Sequence, residues 1–215
     1  MSPAPHRTET FPASDDGQAI ATARRKLRHT LRKDRNAISQ IQQLRAASSV
    51  YSQLIHTTQF SAARRIAFYL PANGEIDSRP LLHHALRSGK HCYLPVLSPL
   101  KTGKMYFVRV RAGQSLRSNR WGILEPALNM RDIIRPWALD MVLVPLLGFD
   151  GKGNRLGMGK GYYDRAFAFR LKFNACTAAA RHRPLLYGLA HPCQARPEIP
   201  AFEHDVRMDR VITAL

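Results

Sequence analysis

Acidic residues are scarce in this chain of 215 residues: 15 Asp and Glu stand against 33 Lys and Arg, a formal net charge of +18. Such a surface attracts polyanions, whether nucleic acid, phosphates or a poly-carboxylate substrate, and charge alone does not choose among them. Aromatic residues make up only 8% of the chain. No aromatic-interleaved RNA-binding signature or zinc-finger spacing accompanies the basic residues, so nucleic acid has a generic electrostatic case and no more. Cysteine is rarer still. Cys92, Cys176 and Cys193 lie far apart, in odd number and without CxxC spacing, which argues against a disulfide framework or a zinc site and for a reducing compartment. Long apolar runs are missing, as is an apolar core in the first twenty residues. Neither a transmembrane helix nor a signal peptide is therefore expected, and the chain reads as cytoplasmic. His83, His84, His182, His191 and His204 show no metal-ligand spacing, and no Ser/His/Asp or Cys/His triad is recognisable.

The 45% hydrophobic content supports one well-buried domain but not two. Residues 1–17, polar and without hydrophobic period, read as a disordered leader, and residues 18–215 as the single domain. Leu27, Leu31, Ile38, Ile41 and Leu44 recur at spacings of three, four and seven beside a second stripe of Arg24, Arg28, Arg32 and Arg35. That pattern predicts one amphipathic helix with a cationic face, followed by a second helical stretch through Val50 to Ile55. Short apolar runs at 66–70, 92–97, 105–110, 141–147, 185–189 and 206–213 are strand candidates. A helix-like segment at 79–88, ended by Gly89, falls between the first two, and another helix begins near Gly161 and Tyr162. The alternation implies an α/β fold with a largely parallel sheet. Ligands of such sheets bind where strands end and loops turn into helices, which directs attention to residues 71–77 and 148–164.

The second of these segments carries the densest chemical signal. Gly157, Gly159 and Gly161 alternate with Met158 and Lys160, after Arg155 and before Tyr162, Tyr163 and Asp164. Glycines let backbone approach an anion closely, a helix starting just beyond them turns its free N–H groups toward a phosphate, and Lys160 and Arg155 supply cations. A Walker A loop would need Gly at Asn154 and Ser or Thr at Gly161. The dinucleotide fingerprint spaces its glycines differently, so this is a phosphate binder of another kind.

Residues 155–165, preceded by Val144-Pro145-Leu146-Leu147-Gly148-Phe149-Asp150, resemble the signature segment of the 5-formyltetrahydrofolate cyclo-ligases, also called methenyltetrahydrofolate synthetases. Supporting matches are the Leu27-Arg28 pair within residues 24–39, Phe68-Tyr69-Leu70-Pro71 leading to Gly74-Glu75-Ile76-Asp77, Trp121-Gly122-Ile123-Leu124-Glu125-Pro126, and Ile199-Pro200 through His204-Asp205 to Val211-Ile212-Thr213. The resemblance runs from about Arg24 to Thr213 and leaves out the leader. It implies a three-layer α/β/α sandwich similar to sugar-phosphate isomerases and CoA transferases. It also implies a reaction in which ATP, with Mg2+, phosphorylates the formyl oxygen of 5-formyltetrahydrofolate, N10 attacks the activated carbon, and phosphate leaves as the methenyl ring closes. The substrate brings its own nucleophiles, so the enzyme's task reduces to alignment and charge neutralisation.

Carried over by position, Arg24, Arg25, Lys26, Leu27 and Arg28 correspond to the family's N-terminal ATP-binding element, with Arg24 where relatives commonly carry lysine. Arg155, Leu156, Gly157, Met158, Gly159, Lys160, Gly161, Tyr162 and Tyr163 would hold the triphosphate, with Arg155, Lys160 and Tyr162 as the catalytic group. Leu70, Glu75, Trp121 and the run Met158 to Tyr162 match folate-contacting positions, and Asp164 and Asp205 match magnesium carboxylates. Each has a plainer alternative: core packing for Trp121 and for one of the two tyrosines, a turn carboxylate for Glu75, a helix N-terminal carboxylate for Asp164, and a loop salt bridge for Asp205. The expected partners are ATP and a folate, polyglutamylated or not, bound by a monomer. Rival readings are a nucleic-acid-binding module built on the basic helix and an ATP-dependent relative with another formyl or carboxyl substrate.

Overall fold

The computed structural model describes residues 15–98, 103–119, 122–171 and 184–214. Helix α1 (Asp15–Asn36) is followed by α2 (Gln40–Ile55) and the short α3 (Thr58–Ala62). Strand β1 (Arg65–Ala67), helix α4 (Arg79–Arg87) and strands β2 (His91–Leu97) and β3 (Met105–Val110) come next. A small hairpin of β4 (Arg117–Ser118) and β5 (Leu124–Glu125) precedes β6 (Ile133–Ile134) and β7 (Met141–Pro145). A second hairpin, β8 (Gly148–Phe149) with β9 (Arg155–Leu156), leads to α5 (Tyr162–Phe167), and β10 (Leu185–Ala190) and β11 (Arg210–Thr213) end the chain.

Seven strands form the main sheet in the order β11-β10-β7-β1-β2-β3-β6. β11, β10, β7, β1 and β2 are mutually parallel, while β3 and β6 extend the β2 edge antiparallel, so the sheet is largely parallel as expected. Successive side chains of a strand point to opposite faces, and β7 shows it directly. Met141 and Leu143 join the core under α2, α3 and α4, with Val50, Leu54, Phe60 and Leu81. Val142 and Val144 join the opposite core with Phe167 of α5. Helices thus cover both faces, although the second cover is thin: α5 has six residues and a 3-10 turn, Ala168–Leu171, follows it.

Four sequence expectations change. The single amphipathic helix is two helices, because the chain turns at residues 37–39 and Ser39 starts α2 with a capping box, its side chain accepting from Gln42 N while the Gln42 side chain accepts from Ser39 N. Ile41 and Leu44 are consequently exposed rather than core-facing. The cationic face is not a solvated stripe either, since Arg24 and Arg35 are buried and only Arg32 of that set is fully exposed. At about 100° per residue, Arg24, Leu31 and Arg35 fall within about 40° of one another on α1, so burying one buries all three. Several strands are also shorter than their apolar runs. β1 stops at Ala67 and β7 at Pro145, and the chain leaves the sheet in both places to build the loops described next. The proposed leader ends sooner than expected, with residues 15–17 already in α1; residues 1–14 lie outside the described part.

Candidate functional site

The carboxyl ends of the parallel strands are where an open α/β sheet leaves a crevice, and four segments meet there. The loop after β1 is held by Tyr69 Oη donating to Ile76 O at 2.8 Å and by Ser78 Oγ donating to Tyr69 O. His191, just past β10, has its Nε2 3.2 Å from Gly74 O. Gln194 donates from Nε2 to Leu146 O at 2.8 Å and to Leu147 O at 3.1 Å, stitching this segment to the end of β7. Helix α1 closes the arrangement through Leu27 and Leu31, which pack against Leu156 and Ile199.

The glycine-rich segment is more ordered than a surface turn. Between β8 and β9, Asp150 accepts from Lys152 N at 2.9 Å and from Asn154 N at 3.0 Å with one oxygen, and from Asn154 Nδ2 at 2.9 Å and Ile199 N at 3.0 Å with the other. This buried carboxylate does the work of a turn template. Gly153 follows with φ +81°, and a Cβ there would stand 2.8 Å from Met208 O, so the strand-like approach of residue 208 requires glycine. Beyond β9, Arg28 reaches across from α1: its Nε donates to Gly157 O at 2.9 Å, and its guanidinium lies over Gly159, where a Cβ would be 3.4 Å from its central carbon. Gly159 itself has φ +97°. Arg165 secures the far end by donating to Lys160 O at 2.6 Å and stacking over Tyr162 at 5.4 Å. With only six residues, α5 contributes little macrodipole, so an anion here would meet loop amides and side-chain cations instead.

The cations divide into two classes. Arg24 is buried and bound to Asp205 and to Pro200 O, with its guanidinium 5.1 Å from the Phe202 ring. Arg155 is buried and bound to Val206 O and, at 2.6 Å, to Asp164 Oδ1. Both are committed to the protein's own oxygens. Arg28 and Lys160 are not. Arg28 spends only Nε, and burial together with the neighbouring Arg24 and Arg32 holds its pKa below the usual arginine value, the mark of a cation short of negative partners. Lys160 is exposed and forms no ion pair among the described residues. Arg25 and Lys26 point to solvent on the outer side of α1.

The carboxylates also separate. Asp205 takes Arg24 and Phe202 N, the latter at 2.8 Å, which is the salt-bridge alternative rather than an open metal ligand. Asp164 uses Oδ1 for Arg155 and for Val206 N at 3.2 Å, leaving Oδ2 without a partner among the described residues. No group of three or more His, Cys, Asp or Glu able to hold a metal occurs among the described residues. A cation bound mainly by phosphate oxygens and water needs only one such oxygen, and Asp164 Oδ2 meets that requirement where Asp205 does not.

Glu75 stands apart from this phosphate end. Its side chain is 11% exposed, with Oε2 accepting from Ala72 N at 3.1 Å and Oε1 3.9 Å from Arg35 Nη1. Burial raises its pKa from 4.5 to about 7, against the opposing effects of the Ala72 bond and Arg35. Tyr69 is buried and Tyr163 half-buried beside it, and burial pushes both phenols up, with the Glu75 charge adding to the effect. Tyr163 stacks on Phe167, 6.4 Å between centroids, and both it and Tyr162 are half-buried at the edge of that core. Leu70 packs against the main core, Leu156 is fully buried, and Met158 is 41% exposed at the loop tip. Trp121 lies outside the described residues. A groove of about 260 Å³ between the first turns of α2 and the loop after β1 is lined by Gln40, Gln43, Leu44, Pro71 and Glu75, with no residue of the glycine loop. Sequence reading missed Arg35, Asp150, His191 and Gln194, although the Asp-Gly pair at 150–151 was a legible turn signal.

Residues 20–214 match the profile of the 5-formyltetrahydrofolate cyclo-ligase family. The chain belongs to that family. The 5-formyltetrahydrofolate cyclo-ligase of Escherichia coli K12 is 33% identical over 183 residues, 85% of this chain and 96% of the relative. That of Mus musculus is 29% identical over 198 residues, 90% and 94%. Among solved structures, the Aquifex aeolicus 5,10-methenyltetrahydrofolate synthetase superposes with a TM-score of 0.73 at 28% identity, covering 89% of each chain. The Mycoplasma pneumoniae 5,10-methenyltetrahydrofolate synthetase, at 23% identity and a TM-score of 0.65, agrees in fold. Within this cyclo-ligase framework, the α/β architecture expected from the sequence is the observed one.

Proposed function

We propose that this chain closes 5-formyltetrahydrofolate to 5,10-methenyltetrahydrofolate at the expense of ATP. The observation that carries the reading is the pairing, in a member of this family, of a glycine loop with two uncommitted cations, Arg28 and Lys160, at the carboxyl end of a parallel sheet. In the reaction the formyl oxygen attacks the γ-phosphorus and ADP leaves. The N10 lone pair then closes on the formyl carbon, N10 loses its proton, and the carbon–oxygen bond breaks to release phosphate. Arg28 and Lys160 hold and neutralise the transferring group, while the amides of residues 157–161 fix its position. Arg24 and Arg155 act by ordering the 205–206 segment against α1 and α5. Mg2+ carried in with ATP supplies charge neutralisation on the phosphate oxygens, and Asp164 Oδ2 is the carboxylate oxygen left to hold it. Glu75 accepts hydrogen bonds from the donor edge of the pterin, and Tyr162 offers a ring face to it.

The net charge of +18 draws both anionic substrates toward the crevice. Cys92 and Cys193 are free thiols, in keeping with a cytoplasmic site of action, and no helix among the described residues is long and apolar enough to cross a membrane. The test is stoichiometry. ADP and phosphate should appear one for one with the methenyl product, and only when 5-formyltetrahydrofolate, ATP and Mg2+ are all present. Product formed without ATP, or ATP hydrolysed at the same rate without the folate, overturns the proposal.

A further inference from the structure

Arg35 is the most deeply buried charge among the described residues, with no exposed surface, at the C-terminal end of α1. Among the described residues its side chain has two polar partners, a 3.4 Å bond from Nη1 to Leu146 O and the 3.9 Å approach to Glu75 Oε1, and Nε and Nη2 are buried without an acceptor. A buried guanidinium left with unmade bonds is costly, and an apolar side chain of similar volume would stand there as well or better. Something other than packing therefore accounts for the arginine. Glu75 is the carboxylate that faces it, on a loop where Asn73 holds φ +50° and His191 fixes Gly74.

We propose that Arg35 is a positioning residue for the folate site: from beneath the loop its fixed positive charge keeps the Glu75 carboxylate ionised and turned to accept from the pterin. The inference rests on the reading of Glu75 as a folate contact. Apart from the Ala72 N–H bond, which also favours the charged form, the groups around that carboxylate work the other way or are neutral. Tyr69 and Tyr163 lie close enough to feel its charge and carry none of their own, Asp77 on the same loop is a like charge already paired with Arg79, and His191 is itself pushed toward its neutral form by burial. Arg155, near Tyr163, is committed to Asp164, and Cys193, near Arg35, is held protonated by burial. Arg35 is the cation paired with Glu75 among the described residues, and without it only the Ala72 bond opposes the burial that favours the neutral acid.

The experiment is calorimetric binding of 5-formyltetrahydrofolate, without nucleotide, from about pH 5.5 to about pH 8.5, a range in which neither the folate carboxylates nor the pterin titrates. Wild-type affinity should fall as the pH drops through about 7, where Glu75 takes up its proton. In Arg35→Met the midpoint should move up by about one pH unit, so that affinity at neutral pH is about fivefold weaker while the high-pH limit is retained. Arg35→Lys, which keeps the charge, should restore the wild-type midpoint, and ATP affinity should be unchanged in both. Should Arg35→Met fail to fold, Arg35→Gln carries the same comparison. An unmoved midpoint, or an equal loss at every pH, overturns the proposal while leaving Glu75 in the site. Glu75→Gln binding folate as tightly as wild type at every pH removes Glu75 from the site and the proposal with it.

Discussion

Replacing Glu75 by Gln should change how stability depends on pH in a way that can be calculated. The carboxyl titrates at about 7 in the fold against 4.5 for the free group, so the folded state binds its proton more tightly than the unfolded state. The sign follows from linkage: a carboxyl with a raised folded-state pKa favours folding at low pH, and that contribution is lost as pH rises through the folded pKa. Across the interval from pH 5 to pH 8 the loss is about 2.5 kcal/mol, from 1.36 kcal/mol per pH unit and the two titration points. Glu75→Gln has no such loss. Its stability relative to wild type should therefore improve by about 2.5 kcal/mol between pH 5 and pH 8, whatever constant offset comes from leaving Arg35 without its carboxylate. For a protein of this size that corresponds to about 5–10 °C in the difference between melting temperatures. Chemical denaturation of both proteins at several pH values measures it directly. A difference that stays constant across the interval would show that Glu75 titrates like a solvated glutamate and would refute the account of its burial.

Other consequences are equally specific. Asp205→Ala breaks a buried ion pair and should cost about 3 kcal/mol or more in denaturant unfolding, while Asp205→Asn should leave the Mg2+ concentration dependence of activity unchanged. Arg28→Ala should raise the KM for ATP about tenfold or more with little change for folate, since its terminal nitrogens carry no structural bond among the described residues; equal losses for both substrates would contradict the assignment. Gly159→Ala places a Cβ at φ +97°, a backbone conformation strained for an L side chain, and in ordinary contact with the Arg28 guanidinium, so it should cost about 1 kcal/mol in denaturant unfolding.

The extent to which this architecture could be read from sequence follows from what each signal encodes. The apolar runs at 92–97, 105–110 and 185–189 became strands almost to the residue, because a strand in a covered sheet needs apolar side chains on both faces. Runs that crossed a strand end, such as 141–147, overstated the strand, since Leu146 and Leu147 are buried in the loop that follows and composition does not mark the change. The break between α1 and α2 was legible in Ser39 and Gln42 as a capping box, but the apolar period running past it masked the signal. Burial of Arg24 and Arg35 was not legible, because their partners, Asp205 and Glu75, are distant in sequence and charge by itself suggests solvent. The glycine loop stood out in the sequence as a candidate site, yet the division of its cations into committed and free could come only from the contacts.

The most direct test of the central claim is formation of methenyltetrahydrofolate by wild type and by Lys160→Ala, side by side, with ATP and Mg2+ present. Lys160 is exposed and forms no ion pair among the described residues, so the variant should melt as wild type does. The account predicts robust ATP-dependent cyclisation by the wild type and a fall of about a hundredfold or more in kcat/KM for ATP in the variant. No methenyl product from the wild type, or a variant within about twofold of it, would contradict the claim that this loop grips the transferring phosphate.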